Sequence, residues 1–293
     1  MGLGAIELHP SDGMEMRRQT DRSVKFWAVS GMLFVLALVY LLATAPPPLV
    51  QEELATYSFS TEEALTLMAY ENDVTRTLFT KAIVEEGKKQ GLEFSESWAQ
   101  PDVAAGPLPA LFLRGVAESL KRSTVPMGLY LGSDFPIESS NRFQGRQAEA
   151  FEEMRKDGLP KHFKDPESGD LIGMYPDVAS AMACVTCHND HEKSAKRDWA
   201  LGDLMGATTW SYPGDSVTTD EFTDMLRAYR EGVSDVWNRY LLEVEDMEEL
   251  QRPDIGAAWP STGMHLPTAA VFQDSVARLS AAHLLSAMIN QEK

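Results

Sequence analysis

Cys184-Val185-Thr186-Cys187-His188 sets two thiols three residues apart and places an imidazole directly after the second. On a helix that interval is close to one turn, so both sulfurs and the ring reach the same neighbourhood. Two thiols so placed can form thioethers with the two vinyl groups of a heme, while the adjacent histidine binds the iron from the same face. The pattern predicts one covalently attached heme c, held by Cys184 and Cys187, with His188 as proximal iron ligand. A structural zinc site is the rival reading, but zinc generally takes four ligands and the chain has no second cysteine pair.

Several further residues are candidates around such a group. Lys196 and Arg197 could pair with a heme propionate, because a guanidinium offers a forked set of donors to a carboxylate. Trp199 could pack on the porphyrin, as could Trp210 and Tyr212, although aromatics beside strands are often plain core. His191 is expected to be exposed. On the distal face a thiolate is excluded, since both cysteines are consumed by the attachment. Met68, on a long helix, is the first-ranked distal ligand and His162 the second, with Met127 and Met174 behind them. No catalytic constellation stands out: Glu243, Glu245, Asp246, Glu248 and Glu249 read as a solvated helix face, and there is no recognisable Ser-His-Asp or phosphate-cradling motif.

The elements that must position these groups are readable in outline. Ser60-x-x-Glu63 is a capping box that opens a long helix to about Lys88, with Leu65, Leu67, Met68, Val74, Leu78 and Ile83 on its apolar face. Gly106-Pro107-Leu108-Pro109 opens a shorter helix through Leu120. Pro126 to Leu131, Leu171 to Tyr175 and Leu204 to Tyr212 read as strands, with helices at Gln147 to Lys156 and Val178 to Cys187 between them. Thr218-x-x-Glu221 is a second capping box, starting a helix to about Leu250. Arg252 to Pro267 reads as a connecting loop and Thr268 to Ile289 as the last helix. The fold class expected is α+β, an antiparallel sheet with flanking helices.

Glu71-Asn72-Asp73-Val74, Gly106 to Arg114, Leu131-Gly132-Ser133-Asp134, and Tyr175-Pro176-Asp177-Val178-Ala179 leading into Cys184 to Asn189 carry a resemblance. It continues through Lys196-Arg197-Asp198-Trp199 and Gly202 to Gly206. Over about Glu71 to Pro213 the chain resembles the c-type heme family whose PAS-like domain often forms the periplasmic sensor of bacterial adenylate cyclases and histidine kinases. The resemblance implies a PAS-like heme c domain and carries the thioether roles to Cys184 and Cys187 and the proximal role to His188.

Phe26 to Ala45 is a run of twenty residues without a charged side chain, which predicts a single N-terminal transmembrane helix. Arg17, Arg18, Arg22 and Lys25 precede it, and the next basic residue is Arg76, so the N-terminus is expected in the cytoplasm and the bulk of the chain outside, in a bacterial periplasm. A cleaved signal peptide ending at Ala43-Thr44-Ala45 is the competing reading. The expected division is residues 1–25 cytoplasmic, 26–45 membrane, 46–59 linker, 60–213 heme domain and 214–293 helical extension. With 26 basic against 44 acidic residues the formal charge is -18, which disfavours nucleic acid as a partner. No output domain is evident, so a redox or small-ligand sensor acting through a partner, or an accessory electron-transfer or structural subunit of a respiratory or photosynthetic membrane complex, are the functions expected. The C-terminal helices are the expected surface for a protein partner or a second copy.

Overall fold

A computed structural model describes residues 12–44, 58–260 and 264–290. The chain divides into two compact units, Met1–Ala55 and Thr56–Lys293. In the first, α1 spans Asp12–Thr44. The expected transmembrane helix is corrected here: among the described residues no helix is long and apolar enough to cross a membrane. The uncharged part of α1 begins at Phe26. The preceding part of α1 carries Glu15, Arg17, Arg18, Asp21, Arg22 and Lys25. The inner-membrane, periplasm-facing placement rested on that span and is withdrawn with it. Ala45 and most of the expected linker lie outside the described residues.

In the second unit β1 (Ser58–Ser60) leads into α2 (Thr61–Leu78) through the expected capping box. The Glu63 N–H donates to Ser60 Oγ at 3.2 Å and the Ser60 N–H to the Glu63 carboxylate at 3.0 Å, an arrangement worth about 1 kcal/mol. The helix then passes through a π-helical segment, Phe79–Glu85, into α3 (Glu86–Lys89). Short strands β2 (Phe94–Ser95) and β3 (Gly106–Pro107) pair in parallel. Gly106 is required there, because a Cβ would lie 2.6 Å from the Tyr240 ring. Helix α4 follows at Pro109–Arg122, with proline in its first turn, where a missing N–H costs nothing.

The central sheet holds β4 (Gly128–Gly132), β5 (Lys161–Lys164), β6 (Leu171–Val178) and β7 (Leu204–Tyr212) in the order β4-β7-β6-β5, antiparallel throughout. Helix α5 (Gly145–Asp157) lies between β4 and β5, and α6 (Met182–Asp190) between β6 and β7. Because strand side chains alternate, the sheet has two distinct faces. Leu129, Tyr175, Trp210 and Tyr212 join the main core with α2 and α4. Met174 and Ala207 point the other way, onto Phe151 and Met154 of α5.

β8 (Ser216–Thr218) pairs with β1 and runs into α7 (Thr219–Glu245) through the second capping box. The segment expected as a loop contains β9 (Asp254–Gly256) and β10 (His265–Pro267), paired in parallel, before α8 (Ala269–Asn290). The buried stripe of α7, including Met225, Tyr229, Val233, Trp237 and Tyr240, lies within the main core. Trp237 stacks on Phe272 at 4.8 Å, and its Nε1–H donates to the Pro267 carbonyl at 3.1 Å. Each such side chain contributes about 1.5–3 kcal/mol by burial. The buried stripe of α7 thus shares one core with α2 and α4.

Candidate heme site

Helix α6 is delivered to its place by the end of β6. A bulge at Asp177/Val178 breaks the ladder with β7, and the Ala179 N–H donates to the Asp203 carbonyl at 2.9 Å while the Gly202 N–H donates to the Ala179 carbonyl at 3.0 Å. The chain turns there, and α6 packs against the π-helical segment. Cys184, Cys187 and His188 all lie on this helix.

Both cysteines are free and half-buried. Burial pushes both thiols up in pKa, and for Cys184 it outweighs the opposing Ala181 backbone hydrogen bond. They are thus held as neutral thiols at pH 7. Burial likewise pushes the His188 imidazole below its usual value, with Asp177 opposing. Its Nδ1 is buried with no hydrogen-bond partner. The ring stands edge-on to Trp199 at 6.4 Å, and Phe135 stands edge-on to the same indole, also at 6.4 Å. Ala179, Val185, Trp199 and Met205 form a small apolar cluster of their own, with Phe135 and Cys184 packed against it.

Trp199 is fixed by Asn189, whose Nδ2 donates to the Trp199 carbonyl at 3.0 Å and whose Oδ1 accepts from the Trp199 N–H at 2.9 Å. Arg197 donates to the carbonyls of Asn189 and Glu192 at 3.0 and 2.9 Å. It therefore satisfies one acceptor at the C-terminal end of α6 and one in the segment just after it. Lys196 pairs with Asp198, and its Nζ sits 4.4 Å from the Trp199 ring centroid. His191 is anchored rather than exposed: its Nε2 lies 3.1 Å from Glu96 Oε1, and its Nδ1 accepts from the Lys193 N–H.

The structure thus brings Cys184, Cys187, His188, Lys196 and Trp199 together. It does not bring Met68 or His162 to them. Met68 is fully buried in the main core, on the α2 stripe that continues through Asn72 and Thr75 to α7. It lies eight residues before Arg76, about 12 Å along the axis. His162 stands on β5, its Nε2 3.0 Å from the Tyr175 hydroxyl, which in turn lies 3.0 Å from Thr66 Oγ1. Met127 is in the main core and Met174 on the α5 side of the sheet. Trp210 and Tyr212 are main-core residues, Trp210 packing on Tyr229 at 5.8 Å.

Arg76 and Asp177 were not singled out by sequence. They form an ion pair of 2.6 Å, less than a fifth exposed, in electrostatic reach of Cys184, and Asp177 also of His188. The available signal was the position of Asp177 a few residues before the cysteine motif; Arg76, 101 residues away, had none. A cavity of about 340 Å³ lined by Glu86, Gln90, Trp259 and His265 holds neither cysteine nor His188.

Two neutral thiols one turn apart on a single helix, followed by a neutral imidazole with an unspent ring nitrogen beside an indole, fit a heme c. They fit zinc poorly, and among the described residues no group of three or more His, Cys, Asp or Glu side chains could hold a metal ion. No curated protein and no solved structure matches the chain. The family described as Tll0287-like matches residues 51–213, an interval that spans α2, the whole sheet and the CxxCH helix. The chain belongs to the Tll0287-like family, a cytochrome c-like family with a PAS-like fold.

Proposed function

We propose that the chain is a monoheme c-type cytochrome whose heme domain works as a redox or small-ligand sensor through a protein partner or a second copy. The observation that carries the heme assignment is the arrangement on α6: free, half-buried Cys184 and Cys187, then His188 with its buried Nδ1 unpartnered. Cys184 and Cys187 would hold the group through two thioether bonds, each the net addition of one S–H across a vinyl double bond and so redox-neutral. His188 supplies the proximal nitrogen, with Trp199 against its ring and Asn189 holding Trp199. Heme in such a site supplies one-electron chemistry and, where the sixth position is open, binding of a small ligand.

Contact between α6 and the π-helical segment favours sensing, since that segment is continuous with α2, which packs on α8 and α7. Accessory electron transfer is the second reading. It is favoured by exposed Val178, Met182 and Leu201 beside the α6 N-terminus, where an apolar edge is open to a partner. Heme staining after denaturing electrophoresis tests the assignment. Wild type should stain, Cys184→Ser and Cys187→Ser should each lose one thioether, and the double variant should not stain. Equal staining of the double variant would refute it. Carbon monoxide added to the reduced protein separates the two uses: rapid binding supports ligand sensing, and no binding supports redox work.

A further inference from the structure

Arg76 is an unusual residue to find at the edge of the α6 site. It projects from α2 three residues before the π-helical segment on which α6 packs, and one guanidinium nitrogen meets Asp177 at 2.6 Å. The two side chains are 19% and 17% exposed, so solvent screens them weakly. The pairing is incomplete, because Arg76 Nε is buried with no partner. Asp177 is positioned by the last regular rung of β6 before the bulge that turns the chain toward α6. Asp73 also interacts with the pair, and Lys81 interacts with Asp73. Cys184 is in reach of both members of the pair, and His188 of Asp177.

We infer that the Arg76–Asp177 pair sets the reduction potential of the heme carried by α6, with Arg76 as a buried cation that favours the reduced state and Asp177 as the anion that holds Arg76 in place and offsets it. This rests on the heme reading above. The physical reason is Coulombic. Oxidation adds a positive charge at the iron, and a fixed cation nearby disfavours it, by an amount that is large where water is excluded. Neither residue need touch the iron, so both are positioning residues rather than ligands.

Potentiometric titration of the full-length protein, followed by its visible spectrum, tests the inference. Arg76→Gln should shift the ferrous-to-ferric ratio at a given potential about tenfold toward ferric, which is a fall of about 59 mV for one electron. Asp177→Asn should shift it the opposite way, Arg76→Lys should stay near wild type, and the double variant Arg76→Gln/Asp177→Asn should return toward it. Two single variants that stay within twofold of wild type, or move in the same direction, would overturn the inference. If Arg76→Gln fails to fold, Asp177→Asn alone decides by the sign of its shift. Absence of covalent heme from the wild type is a separate outcome: it removes the heme reading itself.

Discussion

Removing Arg230 should destabilise the fold far more than its surface position suggests. Glu71 is fully buried on α2, and its Oε1 accepts from Arg230 Nε of α7 at 2.8 Å while Oε2 has no partner. Arg230 is 33% exposed. In the Arg230→Met variant the carboxylate is left in the interior with neither oxygen paired, and breaking a buried pair in this way costs about 3–5 kcal/mol. Partial access of water to Arg230 puts the expectation at the lower end, about 3 kcal/mol. With a urea slope of about 3 kcal/mol/M the unfolding midpoint falls by about 1 M at unchanged slope. Glu71→Gln keeps the volume and one acceptor, and should cost about 1–2 kcal/mol. The decisive variant is Glu71→Leu/Arg230→Met, which removes both charges and should recover most of the loss. Urea unfolding followed by far-UV circular dichroism measures all four proteins. If Arg230→Met shifts stability by less than about 0.5 kcal/mol, as an ordinary surface change would, or if the double variant is no better than the single, the buried-pair reasoning fails.

Trp237 lies between Phe272 and Phe79, stacked on the first at 4.8 Å and edge-on to the second at 6.1 Å; Trp237→Ala should lose about 3–5 kcal/mol, read as a lower unfolding midpoint, and a loss under 1 kcal/mol would show that α7 is not part of the main core. His162 gives a pH dependence of known sign. Burial holds its folded-state pKa below the usual 6.5, with Glu62 opposing, so the unfolded chain takes the proton first and stability falls as pH drops below about 6.5, levelling off beneath the folded-state pKa. Midpoints measured from pH 7.5 to 5 should show that fall reduced in His162→Gln, and parallel curves for the two proteins would refute it.

The parts of the fold that were legible in sequence are those fixed by local chemistry. Both capping boxes, Ser60 with Glu63 and Thr218 with Glu221, mark helix starts that the structure keeps to the residue. The runs Pro126 to Leu131, Leu171 to Tyr175 and Leu204 to Tyr212, bounded by Gly, Pro or Asp, mark the strands found at Gly128–Gly132, Leu171–Val178 and Leu204–Tyr212, and the cysteine motif marks its own helix. What was hidden depends on partners distant in sequence. Lys161–Lys164 is a strand because Met174 to Leu171 of β6 pairs with it, yet Lys-His-Phe-Lys carries almost no strand signal. The helix expected over Val178 to Cys187 starts later, since Val178 still pairs with Leu204 and α6 begins only at Met182. Met68 was chosen on helix position alone. A helix such as α2, buried on more than one side, offers several inward stripes, and a single sequence does not say which stripe faces α6. Here Thr66 and Arg76 face β6, whereas Met68 shares the stripe that faces α7.

The π-helical segment bears most directly on how a change at α6 could be felt elsewhere. A path of touching side chains is not in itself coupling; both ends must bias an element that has two arrangements. Within the α2-to-α3 helix, Phe79–Glu85 is where i→i+5 bonding replaces i→i+4, and one residue more per turn is accommodated there without breaking the helix. Phe79 is at the segment's first position and is fixed by stacking on Phe112 of α4 at 4.3 Å, while Ile83 and Val84 further along are also buried. A shift of α6 against this segment would therefore have to be absorbed either at Phe79, which is clamped from α4 and α7, or downstream toward α3, which is short and has only Gly87 buried. The second route meets less packed surface. On these contacts a displacement of α6 would meet less packed surface toward α3 than toward α7 and α8.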